Sequence, residues 1–268
     1  MGFALGPRAL SAGYKLAASE RTGSTNTDAI ESARTGERGP IWFVTSEQTA
    51  GRGRRQRAWI SPRGNLAASV LEVVDVAPAV AATIGFAAGL AEEAALEKVS
   101  LEAALRLGPD RPRYALKWPN DVLANGKKLV GIGLEAEAVG DRLAIVVGIG
   151  TNIVAAPEGT PTPAVSLAAL GVQISAEELF SALTDCWVEF RGIWDNGRGF
   201  AGIRKLWLER AAGLGERVAI NTGTTTLEGI FDTIDDTGCL IVRTADGRRL
   251  PVAAGEVFFG SAASVGAA

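Results

Sequence analysis

The sequence predicts an α+β protein, with a mixed, largely antiparallel sheet packed with helices and a small barrel-like β unit after it. Three observations carry this. Tight-turn signals at Asn125-Gly126 and Gly140-Asp141 cut the stretch from Asp121 to Ile153 into antiparallel strands. Apolar helical stretches with start signals at Ser24, Pro78 and Ser175 flank that meander. After Gly213 the composition changes to short alternating runs split by Asn221–Gly223, Asp235–Gly238 and Asp246-Gly247, the pattern of a small all-β unit. The expected division is a large domain over 1–212, a small β domain over 213–262 and a loose tail over 263–268.

The elements follow in order. "GSTNTDAIESARTG" opens a helix that Ser24 or Thr25 caps and Gly36 ends. "PIWFVTSEQTAG" reads as a strand, apolar first and polar from Ser46. "NLAASVLEVV" is its expected partner, so that the two strands hold the arginine-rich segment between them. Pro78 suits the first turn of a long helix through Glu97. "RYALKWPN" is a strand that Pro119 stops, and the meander follows. Ser175 and Glu178 form a capping box for a helix to about Trp194, and Phe200–Ala212 is another helix.

The 268 residues suffice for one large core plus an appendage, and 47% hydrophobic with 21% charged residues reads as globular rather than disordered. The chain has no histidine, which excludes a Ser-His-Asp triad, a Cys-His pair and imidazole metal ligands. Catalysis is left to carboxylates, lysines, arginines, backbone amides or a bound metal ion. Cys186 and Cys239 form no CxxC and no disulfide framework, so a reducing cytoplasm is expected. The N-terminus lacks the apolar run of a signal peptide. Ala77–Leu96 is apolar but carries Glu92 and Glu93, which reads as a buried helix rather than a membrane span.

Against a net charge of −3, "AGRGRRQRAW" gathers Arg52, Arg54, Arg55 and Arg57 within six positions. A solvated loop, a nucleic-acid patch and a clamp for a small anion all suit such a segment. Gly51 and Gly53 let backbone approach an anion, and guanidinium forks bind phosphate or carboxylate bidentately. No Walker A loop is present, and "GIGLEA" and "GIGTNI" lack the third glycine of a dinucleotide fingerprint. Downstream, Lys117 and Lys128 bracket Asn120 and Asp121 on one strand-turn-strand unit.

Six segments in order carry a resemblance: "STN" (Ser24–Asn26), "QTAGRGRRQRAW" (Gln48–Trp59), "SPRGNL" (Ser61–Leu66), "KWPNDV" (Lys117–Val122), "KKLVGIGLE" (Lys127–Glu135) and "VGIGTNI" (Val147–Ile153). The chain resembles the biotin–protein ligases, in the short form that lacks an N-terminal DNA-binding domain. The resemblance implies a class II synthetase-like catalytic domain and an SH3-like C-terminal β-barrel. Two positions depart from the family pattern: Gln56 replaces a glycine, and Ala67 stands where an aromatic is common.

The resemblance implies an enzyme that joins biotin and ATP into biotinyl-5′-adenylate, using Mg²⁺, and passes the biotinyl group to a lysine of a biotin carboxyl carrier protein. Biotin's carboxylate is already ionised at neutral pH, so cations rather than a base remove the obstacle to attack. Arg54, Lys128 and Asp121 are the implied catalytic residues. Asp121 is placed to take or fix the proton of an acceptor lysine, whose free pKa is about 10.4, and to touch Mg²⁺. Ser24, Thr25, Asn26, Gln48, Gly51, Arg52, Gly53, Gly131, Gly148 and Gly150 join Arg54 and Lys128 on biotin. Arg55, Arg57, Trp59, Lys117, Asn120 and Asn152 join Arg52, Arg54 and Lys128 on ATP.

Neighbouring Lys127 faces the other side of a strand and reads as solvated. Plainer roles stand beside these: helix capping for Ser24 and Thr25, bulge positions for the glycines, core packing for Trp118. The expected state is a cytoplasmic monomer or homodimer that engages neither nucleic acid nor membrane. The rival readings are a lipoate–protein ligase-like transferase, against which the GRGRR and KWPND pair argues, and a nucleic-acid module built on the arginine loop, against which the acidic balance argues.

Overall fold

The computed structural model describes residues 2–53, 57–107, 111–160, 162–223 and 225–259. A short helix α1 (Pro7–Ser11) leads into β1 (Lys15–Ser19), α2 (Thr25–Arg34) and β2 (Ile41–Thr45). A hairpin of β3 (Gln48–Arg52) and β4 (Ala58–Ser61) follows, then β5 (Leu66–Val74), α3 (Pro78–Ala82) and α4 (Ile84–Leu107). The meander is β6 (Tyr114–Lys117), β7 (Asp121–Ala124), β8 (Lys127–Val139) and β9 (Arg142–Thr151). Helices α5 (Ala176–Trp194) and α6 (Phe200–Leu208) precede five strands: β10 (Arg217–Asn221), β11 (Thr226–Ile234), β12 (Leu240–Arg243), β13 (Arg249–Val252) and β14 (Glu256–Phe259).

The main sheet has the order β1-β2-β5-β9-β8-β7-β6. Only its β1–β2 pair is parallel, so the mixed, largely antiparallel expectation holds. Asn125 and Gly126 take φ of 49° and 78° in the two-residue turn that joins β7 to β8, as the Asn-Gly signal requires. Strands β10–β14 form a separate antiparallel sheet, ordered β13-β12-β11-β10-β14.

Three expectations are corrected. "PIWFVTSEQTAG" is not one strand: β2 ends at Thr45, and Gln48 starts a hairpin of its own, paired to β4 rather than to the main sheet. Of the arginine segment, Arg52 ends β3 and Arg57 stands just before β4. The long helix from Pro78 breaks at Thr83, whose hydroxyl donates to Val80 O at 2.6 Å and accepts from Trp194 Nε1 at 2.8 Å; it restarts at Ile84 and runs to Leu107. The helix from Phe200 ends at Leu208 because the next residues bond to the edge strand instead: Leu116 N donates to Arg210 O and Ala212 N to Leu116 O, each at 2.8 Å.

Alternation on the strands places the site. Leu66, Ala68 and Val70 of β5, with Val147 and Ile149 of β9, join the core under α4 and α5. On the opposite face Phe43, Leu71, Ala144 and Val146 pack against Ala29, Ile30 and Ala33 of α2. Further along that same face the side chains shrink. Ala67 pairs with Gly150, Gly150 with Gly131, and Gly131 with Asp121, a cross-strand row of minimal bulk ending in a carboxylate. The apolar half of the face holds α2, and the bare half is left open beside the N-terminus of α2.

Candidate active site

A cavity of about 330 Å³ opens over the bare half of the sheet, a volume suited to a small ligand. Helix α2 reaches it end-on. Ser24 caps the helix, its Oγ accepting from Thr27 N at 3.5 Å, so that Thr25 and Asn26 are presented from the first turn. Of the two candidate caps, Ser24 serves and Thr25 does not. Thr25 Oγ1 lies 2.7 Å from Ser69 Oγ, and Thr25 N donates to Gln48 Oε1 at 3.0 Å. Ser69 donates to Asn26 Oδ1 at 2.6 Å, and Asn26 Nδ2 donates to Glu135 Oε1 at 2.9 Å. Gly148 leaves the room this needs: a Cβ there would overlap the Asn26 amide.

Trp59 of β4 forms the opposite wall. Its indole lies against Gly131 and Gly150, where an added Cβ would run into the ring. Lys128 Nζ stands 5.8 Å from that ring's centroid. The same ammonium is 2.7 Å from Asp121 Oδ1, a buried atom on which no donor among the described residues is aligned as a hydrogen bond, so the contact is ionic. Lys117, 4% exposed, donates to Thr162 Oγ1 at 3.1 Å and faces the Phe258 and Phe259 rings at 5.9 and 5.8 Å. Burial pulls its pKa below the ordinary lysine value, against the pull of Asp121.

Two arginines of the hairpin are placed. Arg52 donates to Thr27 Oγ1 at 3.1 Å and lies 3.8 Å from Glu135 Oε2. Arg57 pairs with Glu256 of β14 at 3.2 Å. The predicted residues Arg54 and Arg55, with Gln56, lie outside the described residues. Gly53, Asn120 and Asn152 also line the cavity. Asn120 Nδ2 donates to Ile132 O at 2.6 Å, while Asn152 Oδ1 is buried with no donor among the described residues in reach. Gly51 does not line the cavity; it lies behind Gln48, whose amide a Cβ there would displace. Trp118 is core as well as lining: it is 2% exposed and its Nε1 donates to Gly238 O at 3.1 Å. Lys127 is exposed, as its strand position implies.

Sequence reasoning missed four contributors. Ser69 is hidden in an apolar strand, and its period-two position on β5 was the available signal. Glu135 stands four residues beyond Gly131 on the same face of β8. Thr162 and Glu256 come from a proline-rich loop and from the C-terminal sheet, and nothing local marks either. Asn65 explains the "SPRGN" segment: its Oδ1 accepts from the backbone N–H of Ile153, Val154 and Ala155 at 2.9, 2.9 and 3.2 Å, tying the chain after β9 to the chain before β5. No cluster of three or more metal-ligating side chains occurs among the described residues.

Cations, a glycine-floored slot and polar groups at a helix N-terminus define a site for a small anionic ligand beside a flat ring system. Residues 18–152 match the Biotin/lipoate A/B protein ligase family, and residues 213–260 match the Biotin protein ligase C terminal domain. A Biotin--[acetyl-CoA-carboxylase] ligase from Paracoccus denitrificans is 42% identical over 247 residues, 90% of this chain and 98% of that protein. The chain belongs to the biotin/lipoate A/B protein ligase family, on its biotin–protein ligase branch.

The fold is also that of solved relatives. The biotin protein ligase from Aquifex aeolicus in complex with biotin and ATP superposes with a TM-score of 0.72 at 22% identity, over 92% of this chain and 99% of that one. The Leishmania major biotin protein ligase in complex with biotinyl-5-AMP gives a TM-score of 0.60 at 25% identity, over 90% and 99%.

Proposed function

We propose that this chain activates biotin with ATP and transfers the biotinyl group to one lysine of a biotin carboxyl carrier protein. A carboxylate oxygen of biotin attacks the α-phosphorus of ATP, the bond to the β-phosphate breaks, and pyrophosphate leaves. The carrier's lysine amine then attacks the acyl carbon, and AMP leaves with the electron pair of the acyl–oxygen bond. The observation that carries the reading is the convergence of Lys117, Lys128, Arg52 and Arg57 on one glycine-floored cavity. These cations offset the repulsion between a carboxylate and a triphosphate, which is the main barrier to the first step. Neither histidine nor a base is required for it.

Biotin's ring lies between the α2 N-terminus and Trp59, with Ser24, Thr25, Asn26 and Gln48 as its polar partners. Its carboxylate points to Lys128, and Arg54 supplies a second cation, as the family motif implies. The nucleotide takes the side of Asn120, Lys117 and Asn152, with Arg52, Arg55 and Arg57 along the phosphates. The donor set suits a Mg²⁺ ion that arrives on the triphosphate, because Asp121 is a single carboxylate facing Lys128 and no cluster of three or more metal-ligating side chains occurs among the described residues. Mg²⁺ would be held by phosphate oxygens with Asp121 beside it, and it supplies further neutralisation of the phosphate charge. In the second step Asp121 receives the lysine's proton as Lys128 turns to the phosphate. The enzyme acts in the cytoplasm, as a monomer or homodimer, without nucleic acid or membrane. Exchange of labelled pyrophosphate into ATP that depends strictly on biotin tests the first step; exchange that is absent, or equal without biotin, refutes it.

A further inference from the structure

We propose that Glu135 is a positioning residue that sets the direction of a hydrogen-bond chain along the cavity wall, making that wall a pair of acceptors matched to the two N–H groups of a cyclic urea. The inference rests on the biotin reading above and names the device that selects biotin's ring.

Glu135 stands on β8 behind Asn26 and accepts from Asn26 Nδ2 at 2.9 Å. A carboxylate accepts and does not donate. Turning the Asn26 amide round would set oxygen against oxygen, so its nitrogen must face Glu135 and its Oδ1 must face Ser69. Ser69 Oγ donates to that Oδ1 at 2.6 Å. A serine has one proton, and this bond uses it. At the 2.7 Å contact between Ser69 and Thr25, Thr25 is therefore the donor. That uses Thr25's one proton, in preference to Gln48 Oε1 at 3.3 Å, which Thr25 N already serves at 3.0 Å.

The result reaches the cavity. Thr25 and Asn26 line it, and Ser69 is fully buried between them. With the protons directed inward, Thr25 Oγ1 and Asn26 Oδ1 offer lone pairs to the ligand and no hydrogen. Reversing the amide reverses the chain: Asn26 would turn its Nδ2 donor to Ser69 and the cavity, Ser69 would donate to Thr25, and Thr25's proton would be freed for Gln48 Oε1 or the ligand. A urea presents two N–H donors on its nitrogens, which such a wall would repel. Arg52, 3.8 Å from Glu135 Oε2 and bonded to Thr27, helps hold the carboxylate in place.

The test is titration calorimetry on the full chain with biotin, with desthiobiotin (which keeps the urea and lacks the sulfur ring) and with ATP. Glu135→Leu removes the acceptor, and biotin and desthiobiotin affinity should each fall about ten-fold or more. ATP affinity should stay within about two-fold. Glu135→Gln retains an amide oxygen that can accept from Asn26, and should bind biotin within about three-fold of the parent. In a Ser69→Ala background the arm to Thr25 is cut and only the direct hold on Asn26 remains, so Glu135→Leu should add a smaller loss than it causes in the parent.

Parent-like biotin affinity in Glu135→Leu would overturn the inference. So would a loss shared equally with ATP, a loss for biotin but not for desthiobiotin, or a full further loss on top of Ser69→Ala. A parent protein that binds no biotin at all would instead refute the functional reading, so the two failures are told apart.

Discussion

At the scale of single residues, charge placement is the main theme. Lys127 and Lys128 are adjacent, yet only Lys128 enters the cavity and faces Asp121 at 2.7 Å. Lys128→Ala should lower biotin-dependent pyrophosphate exchange by about 100-fold or more, the scale for losing one aligned charge in a shielded site. Lys127→Ala should leave it within about two-fold. Period-two alternation put the two lysines on opposite faces, and the family resemblance said which of them faces the site. The partners of the arginines were not, because Glu135 and Glu256 reach them through strand register and from a distant sheet.

Glu92 is a residue whose chemistry only the fold reveals. It is fully buried, accepts from Thr151 Oγ1 at 2.6 Å, and burial pushes its pKa up from 4.5 to about 7. The folded chain then holds a proton that the unfolded chain has lost. This contribution to stability is full below about pH 4.5, declines as pH rises, and is gone once pH has passed through about 7, with a slope of at most about 1.4 kcal/mol per pH unit. Denaturant titrations across that window should show the decline in the parent and a flatter profile in Glu92→Gln. Identical slopes would contradict the assignment.

Among the elements, the hairpin that carries the arginines differs most from what the sequence implied. The helix caps, the Asn-Gly turn and the meander were readable because each is a local signal. The split between β2 and β3 was not, since a polar continuation of an apolar strand looks the same whether or not the chain changes partners. The break at Thr83 was hidden for a related reason: it depends on Trp194, 111 residues away. The hairpin's function follows from Trp59, which reaches across to the glycine row of the sheet. Gly150→Ala places a methyl group against that indole. It should raise the KM for biotin by about ten-fold while the melting temperature changes little, because the slot is open and the ring can move away. An unchanged KM would show that the Trp59 wall has no part in binding.

For the molecule as a whole, the site is assembled from pieces that are separate in the chain. Helix α2 supplies polar groups, the hairpin supplies cations and an aromatic wall, the meander supplies the floor, Lys128 and Asp121, and the C-terminal sheet supplies Glu256 at the rim. Six short motifs made the first three pieces legible by resemblance. The fourth was not, because Glu256 lies in an ordinary alternating strand and gains its place only when β14 packs beside Lys117 and Arg57. The absence of histidine, read from composition, fits the arrangement: an ionised carboxylate needs countercharge, not a base.

The central claim is that these cations let two anions react and the product acylate a carrier. Its most direct test is the intact mass of a purified biotin carboxyl carrier domain after incubation with this protein, biotin and Mg-ATP. The account predicts the gain of one biotinyl group on one lysine, lost when ATP is omitted and when Lys128 is alanine. An unmodified carrier with the parent protein, or equal modification by Lys128→Ala, would contradict it.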